Sequence, residues 1–100
     1  MAAIKVKQVT VNNLTVEGDL TFATINKHSP KMMQQLFKTN DLTIDLNKVN
    51  ASDSAGLALI IEWLKIAQSR KIQLSFVNVP EQLLTIASLS AFDSVFQSTH

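Results

Sequence analysis

Two alternating apolar segments, separated by a stretch with helical periodicity, constrain the fold of this chain more than any other feature. Residues 41–49, DLTIDLNKV, and residues 72–79, IQLSFVNV, place an apolar side chain at every second position, which is the pattern of a β-strand. The residues between them, up to about Arg70, are apolar at helical spacing. Strands joined through a helix become parallel neighbours in one sheet, so this half of the sequence predicts an α/β fold.

The first residues predict an antiparallel hairpin in front of that unit. Residues 4–11 alternate, and LTVEGDL alternates again through Leu14 and Val16. Asn12 and Asn13, between the two segments, are typical turn residues. The complete sheet is therefore expected to be mixed, with an antiparallel part and a parallel part.

Further helices are predicted on either side of the β-α-β unit. Pro30 interrupts residues 21–40, so we expect a short helical turn near residues 22–27 and then a new helix with Ser29 as its N-cap. Pro80 opens a last helix, followed by a frayed tail. The residues expected to point inward from these two helices are Met33, Leu36, Phe37, Leu83, Leu84, Ala87 and Leu89.

Length and composition predict one globular domain over residues 1–100, a small mixed sheet packed with about three to four helices. Hydrophobic residues make up 46% and charged residues 17% of the chain, which is a globular composition. The longest apolar run, residues 57–61, is far shorter than a membrane span, and residues 1–11 do not resemble a secretory signal. We therefore expect a soluble cytoplasmic protein with no direct membrane insertion.

The sequence lacks the residues that most catalytic, metal-binding and nucleic-acid-binding functions require. A net charge of +1 gives no reason to expect nucleic acid as a partner. The absence of cysteine excludes thiolate chemistry, and His28 and His100 lie too far apart in sequence for metal-ligand spacing. Gly18 and Gly56 form no phosphate-binding loop, and Ser54 stands in no nucleophile elbow. No catalytic residue, metal site or cofactor is therefore expected.

The start of the central helix, in NASDSAGLALIIEWLKIA, is the most informative segment. Ser52, Asp53 and Ser54 all suit an N-cap, because their side-chain oxygens can accept hydrogen bonds from the first turn. Gly56 costs helix stability relative to alanine, by up to about 1 kcal/mol. We therefore expect a close approach at Gly56, made either by another part of the fold or by a partner.

Helical projection divides the apolar residues of this helix into two stripes. The first, expected on the sheet, contains Leu57, Ile60, Ile61, Leu64 and Ala67. The second contains Leu59, Trp63 and Ile66, behind a polar wedge of Glu62, Lys65 and Ser69. The second stripe either packs against neighbouring helices or forms a protein contact, in which tryptophan is a frequent anchor.

Three motifs carry a resemblance to a known family. They are DSAGLAL at residues 53–59, EWL at 62–64 and FVNVP at 76–80. With them, nearly the whole chain resembles the STAS domain, the fold of bacterial anti-sigma factor antagonists and of the cytoplasmic tails of sulfate transporters. The last two motifs favour the MlaB type, the small subunit of phospholipid ABC transporters in Gram-negative envelopes.

The resemblance implies a binding role without turnover. Ser54 matches the serine that antagonists use as a phosphorylation switch and the hydroxyl residue that MlaB-type subunits present to their ATPase. Asp53 matches the aspartate before it. At Ala55 many antagonists have a second hydroxyl residue, and this departure weakens the case for phosphorylation.

Two functions follow from the resemblance. The first is a non-catalytic accessory subunit of an MlaFEDB-type transporter, peripheral at the inner membrane, that binds an MlaF-like ATPase in a complex with permease and lipid-binding subunits. The alternative is an anti-sigma factor antagonist released from its kinase by phosphorylation of Ser54. The expected partner-binding residues are Asp53, Ser54, Ala55 and Gly56, with Leu59 and Trp63 as supporting contacts.

Overall fold

A four-stranded mixed sheet forms the centre of the protein. The computed structural model describes residues 2–32, 38–90 and 94–97. In the sheet, β1 and β2 are antiparallel, whereas β2, β3 and β4 are parallel, in the spatial order β1-β2-β3-β4. The strands are Lys5–Thr10 (β1), Asn13–Leu20 (β2), Asp41–Ser52 (β3) and Gln73–Val77 (β4). The predicted α/β class, with an antiparallel hairpin followed by parallel strands, is confirmed.

Two long helices pack on this sheet. They are α1, Ser54–Ser69, which connects β3 to β4, and α2, Glu81–Leu89, which follows β4. A single helical turn, α3, covers Ser94–Gln97. The prediction of three to four packed helices is wrong for the part of the chain that the structure describes, where α1 and α2 cover the sheet. No helix there is both long and apolar enough to cross a bilayer.

In the crossover from β2 to β3, the helix predicted to follow Ser29 begins one residue earlier. A short 3-10 helix covers Ser29–Lys31, with His28 in the N-cap position and Pro30 in the first turn. Ser29 is therefore the first helical residue and not the cap. The predicted inward residues Met33, Leu36 and Phe37 lie outside the described residues.

One face of the sheet is buried beneath the helices. Alternate residues of β2, β3 and β4 are buried, as the alternating sequence predicts. Those on the inner face are Leu14, Val16, Leu20, Leu42, Ile44, Leu46, Leu74 and Phe76. The core therefore lies on one side of the sheet, between the parallel strands and the two helices.

The inward residues of α2 are fewer than predicted. Leu83 and Ala87 are buried, but Leu84 is 45% and Leu89 83% exposed. At about 100° per residue, Leu83 and Ala87 share one face, whereas Leu89 projects to nearly the opposite side of the helix from Ala87. The prediction of Leu84 and Leu89 as inward residues is therefore wrong.

The carboxyl ends of the parallel strands lie at one edge of the sheet. Leu20 at the end of β2 is paired with Ser52 at the end of β3, so the residues that follow these strands are neighbours. The turn after β2 thus lies beside the start of α1. The start of α2 belongs to the same edge, because α2 follows the carboxyl end of β4.

Candidate functional site

The carboxylate of Asp53 joins the start of α1 to the turn after β2. Its Oδ1 accepts hydrogen bonds from the backbone N–H groups of Ala55 and Gly56, at 2.9 and 3.3 Å. Its Oδ2 accepts from the backbone N–H of Phe22 at 3.0 Å. The N–H of Asp53 itself donates to the carbonyl oxygen of Leu20 at 3.2 Å. Of the three candidate caps, Asp53 is therefore the residue that caps α1.

Gly56 provides the space for this contact. A Cβ atom on Gly56 would lie 2.3 Å from the carbonyl oxygen of Leu20 and 2.9 Å from its Cβ. Neither separation is sterically acceptable, so the helix can approach β2 this closely only with glycine at position 56. The close approach predicted at Gly56 is made by the chain itself, and Gly56 thus serves the fold.

The two serines beside Asp53 have different environments. Ser52 is buried, and both its backbone N–H and its hydroxyl donate to Oε1 of Gln82, at 3.3 and 3.4 Å. Ser54 is the first residue of α1 and is exposed. Its hydroxyl forms no hydrogen bond with any other described residue. Ser54 is therefore the polar residue of this segment that remains available to a partner.

The second apolar stripe of α1 is part of the core. Leu59 is 3% and Trp63 0% exposed, and the indole Nε1–H donates to the carbonyl oxygen of Ser29 at 3.2 Å. Ile60 and Trp63 lie only about 60° apart on a helix, so the two predicted stripes form one continuous buried face. Of the two alternatives for the second stripe, Leu59 and Trp63 follow the first and pack inside the protein, and in this structure neither offers a surface to a partner.

An exposed aromatic residue next to the start of α1 was missed by the sequence analysis. Phe22 is 84% exposed and lies in the turn that Asp53 holds through the Phe22 N–H. By alternation with Leu20, Phe22 would point into the core if β2 continued. The sequence predicted a turn after β2, near residues 22–27, but no local pattern shows whether another part of the chain covers the ring of Phe22.

A shallow groove lies on the other side of Asp53, towards α2. It is lined by Ser52, Asp53, Glu81, Gln82, Thr85 and Ile86. Its carboxylates come from Asp53, which already accepts three hydrogen bonds, and from the exposed Glu81. Within residues 2–32, 38–90 and 94–97, no three His, Asp or Glu side chains gather as a metal site would require.

Among the described residues, the Ser54 hydroxyl has no hydrogen-bonded base beside it. A serine hydroxyl needs an adjacent base to act as a nucleophile, and no hydrogen bond among the described residues joins Ser54 to a histidine or carboxylate. Its exposed oxygen can accept or donate one hydrogen bond to a partner, or receive a phosphoryl group from an external kinase.

Comparisons with known proteins identify a family and a fold. The sequence matches the family described as "Mlab, STAS domain" over residues 6–97. A similar solved structure is that of the anti-sigma factor antagonist SpoIIAA in its unphosphorylated form, with a TM-score of 0.66, 15% sequence identity, and coverage of 95% of this chain and 86% of that chain. At that identity the likeness shows the fold alone. No curated protein sequence matches this chain.

Proposed function

This chain belongs to the Mlab-type STAS domain family, and on that premise we propose that residues 1–100 act as a single non-catalytic domain that docks on a partner protein through Ser54. STAS domains are typically regulatory or accessory domains that mediate protein–protein interactions, and the match indicates no catalytic family. The partner-binding surface is centred on the start of α1. Asp53, Ala55 and Gly56 position Ser54, and the Ser54 side chain makes the contact.

One observation carries this proposal. The Asp53 side chain accepts hydrogen bonds from the N–H groups of Ala55 and Gly56 in the first helical turn, so capping of α1 does not use the Ser54 hydroxyl, which is exposed. The helix under it is fixed by the close packing of Gly56 on Leu20. A polar group held on a rigid element gives a precise contact at little entropic cost.

The family description favours an ABC transporter as the complex in which this chain works. We propose that the partner is the cytoplasmic MlaF-like ATPase of a phospholipid transporter that also contains permease and lipid-binding subunits. The chain then works in the cytoplasm, peripheral to the inner membrane, and supports assembly and activity of a complex that maintains outer-membrane lipid asymmetry. The support for this assignment is the family match over residues 6–97.

Replacement of Ser54 by arginine tests the docking site. The S54R variant places a long charged side chain where the partner must approach, and we expect it to abolish co-purification with the ATPase. The S69R variant is the matched control, because Ser69 is an exposed serine at the other end of the same helix. Circular dichroism should show that both variants are folded. Undiminished recovery of the ATPase with folded S54R would reject the docking site.

The alternative function is a phosphorylation-controlled anti-sigma factor antagonist. It is favoured by the likeness in fold to SpoIIAA and by the free hydroxyl of Ser54. A phosphate there would lie at the N-terminus of α1, where the helix dipole favours negative charge, although the Asp53 carboxylate opposes it. Incubation with ATP and a candidate anti-sigma kinase, followed by mass spectrometry, separates the two functions. Stoichiometric phosphate on Ser54, absent in S54A, would favour the antagonist.

A further inference from the structure

We propose that Phe22 is the apolar anchor of the docking surface and inserts into an apolar pocket of the partner protein beside the group that contacts Ser54. This inference rests on the proposed function and identifies a second contact residue in the same site. It concerns a side chain in the crossover that follows β2, outside the helix that carries Ser54.

The exposure of Phe22 is the first reason. At 84%, Phe22 has the highest exposed fraction of the large hydrophobic side chains in the described part of the chain. Its neighbour Ala23 is also exposed, so the core does not shield the ring from water. A fully hydrated phenylalanine leaves a large hydrophobic surface uncovered, and aromatic residues of this kind dominate the energetics of protein interfaces.

The rigidity of its backbone is the second reason. The N–H groups of Thr24 and Ile25 both donate to the carbonyl oxygen of Thr21 at 3.0 Å. The hydroxyl of Thr24 donates to the carbonyl oxygen of Asp19 at 2.6 Å. Together with the bond from the Phe22 N–H to Asp53, these contacts fix the turn. Because the backbone that carries the ring is already ordered, a partner that binds Phe22 need not order this turn.

The position of Phe22 relative to Ser54 is the third reason. The Phe22 N–H is bonded to Asp53, the residue that directly precedes Ser54. Ala55, Leu59 and Trp63 form an i, i+4 ridge on α1, and Trp63 contacts Ser29 in the crossover. Ala55 therefore begins the side of α1 that faces the crossover. Its methyl group is half-buried and small, so one partner surface can reach both Phe22 and Ser54.

The occupant is a different protein and not a second copy of this chain. The anchor is continuous with the Ser54 surface, for which the proposed partner is the ATPase. Its exposed fraction is 84%, against 45% for Leu84 near the start of α2. Val9 and Val11 lie at the opposite edge of the sheet, near the hairpin turn, and Leu89 lies at the far end of α2. A partner centred on Ser54 would therefore reach Phe22 and leave Leu89 uncovered.

Titration calorimetry of the full chain against the purified ATPase subunit tests the anchor. We expect the F22S variant to weaken binding by about 30-fold, which is typical for truncation of an aromatic hot spot. F22L, which keeps an apolar side chain, should retain most of the affinity. L89S is the matched control because Leu89 is 83% exposed, and it should change the affinity by less than about twofold. Thermal unfolding should be unchanged in all three variants, since both side chains are exposed.

Each outcome supports or overturns a specific statement. If S54R abolishes binding while F22S binds within about twofold of the wild type, Phe22 is not an anchor and the docking site stands. If the wild type fails to bind the ATPase, the proposed function and the anchor both fail. If analytical ultracentrifugation shows a wild-type dimer that F22S dissociates, and F22S still binds the ATPase, the occupant is a second copy and the proposal is overturned.

Discussion

The two long helices begin at the same edge of the sheet, but their starts are fixed in different ways. At α1, the Asp53 side chain caps the helix and also holds Phe22, whereas at α2 the N-cap is Pro80, which makes no side-chain cap bond. Leu20 and Phe22 are more than 30 residues from Asp53 and Gly56, so the start of α1 depends on tertiary contacts. The cap of α2 depends on the local conformation of proline and the charge of Glu81, and the distant contact at this helix start is made by Gln82, which accepts hydrogen bonds from Ser52.

This difference bears on function. A helix start held from two sides keeps Ser54 in one position relative to the turn that carries Phe22. The start of α2 has no such cross-connection through its cap residue. We therefore expect substitutions at the start of α1 to have larger effects on stability than equivalent substitutions at α2.

The largest effect is expected at Gly56. In G56A, the new methyl group would collide with the backbone of Leu20, so we expect the free energy of unfolding to fall by about 3 kcal/mol. This loss would exceed the gain from the better helix propensity of alanine, which is up to about 1 kcal/mol. Urea denaturation of the wild type and of G56A measures the net change in the free energy of unfolding. The control is T85A on the exposed side of α2, which should stay within about 0.5 kcal/mol of the wild type. A more stable G56A would contradict the described contact.

A smaller effect is expected at Asp53. D53A removes the cap of α1 and leaves the N–H of Phe22 without its partner, so we expect a loss of about 2 kcal/mol in the free energy of unfolding. D53N should lose less, because its single carbonyl oxygen can still cap the helix. P80A at the start of α2 should cost about 0.5 kcal/mol, from added freedom of the unfolded chain. Equal losses of stability in D53A and P80A would contradict the proposed difference between the starts of the two helices.

The smallest effect is expected at Glu81. In E81Q, the loss of a negative charge from the first turn of α2 should lower the free energy of unfolding by about 0.5 kcal/mol at low ionic strength. Because the side chain is exposed, about 1 M salt should screen this contribution almost completely. Denaturation at both salt concentrations checks the prediction, and a loss that persists in high salt would show that Glu81 acts through a specific contact.

The sequence identified the segment in which α1 begins but did not assign the roles of its polar residues. Ser52, Asp53 and Ser54 all have cap-forming side chains, and a propensity argument cannot rank them. The structure distinguishes them through distant residues: Gln82 accepts hydrogen bonds from Ser52, the Phe22 N–H bonds to Asp53, and Ser54 is left exposed. Such partners become neighbours only when the strands align.

The same limitation left two alternatives open for the second apolar stripe of α1. Helical periodicity showed which side chains are apolar and how they are spaced, but not which neighbours cover them. Trp63 could therefore pack inside the protein or contact a partner, and the structure places the crossover against it, with the Ser29 carbonyl accepting from the indole N–H. The exposed aromatic residue is Phe22, at a position where alternation alone would predict burial.

The sequence by itself determined the order of strands and helices, the inward face of β3 and β4, and the segment in which α1 begins, because periodicity and capping preferences act over a few residues. Tertiary structure alone decided that Gly56 accommodates Leu20, that Asp53 bridges two segments and that Phe22 is exposed. Those outcomes depend on steric contact and hydrogen bonding between residues far apart in the chain, which no local pattern encodes.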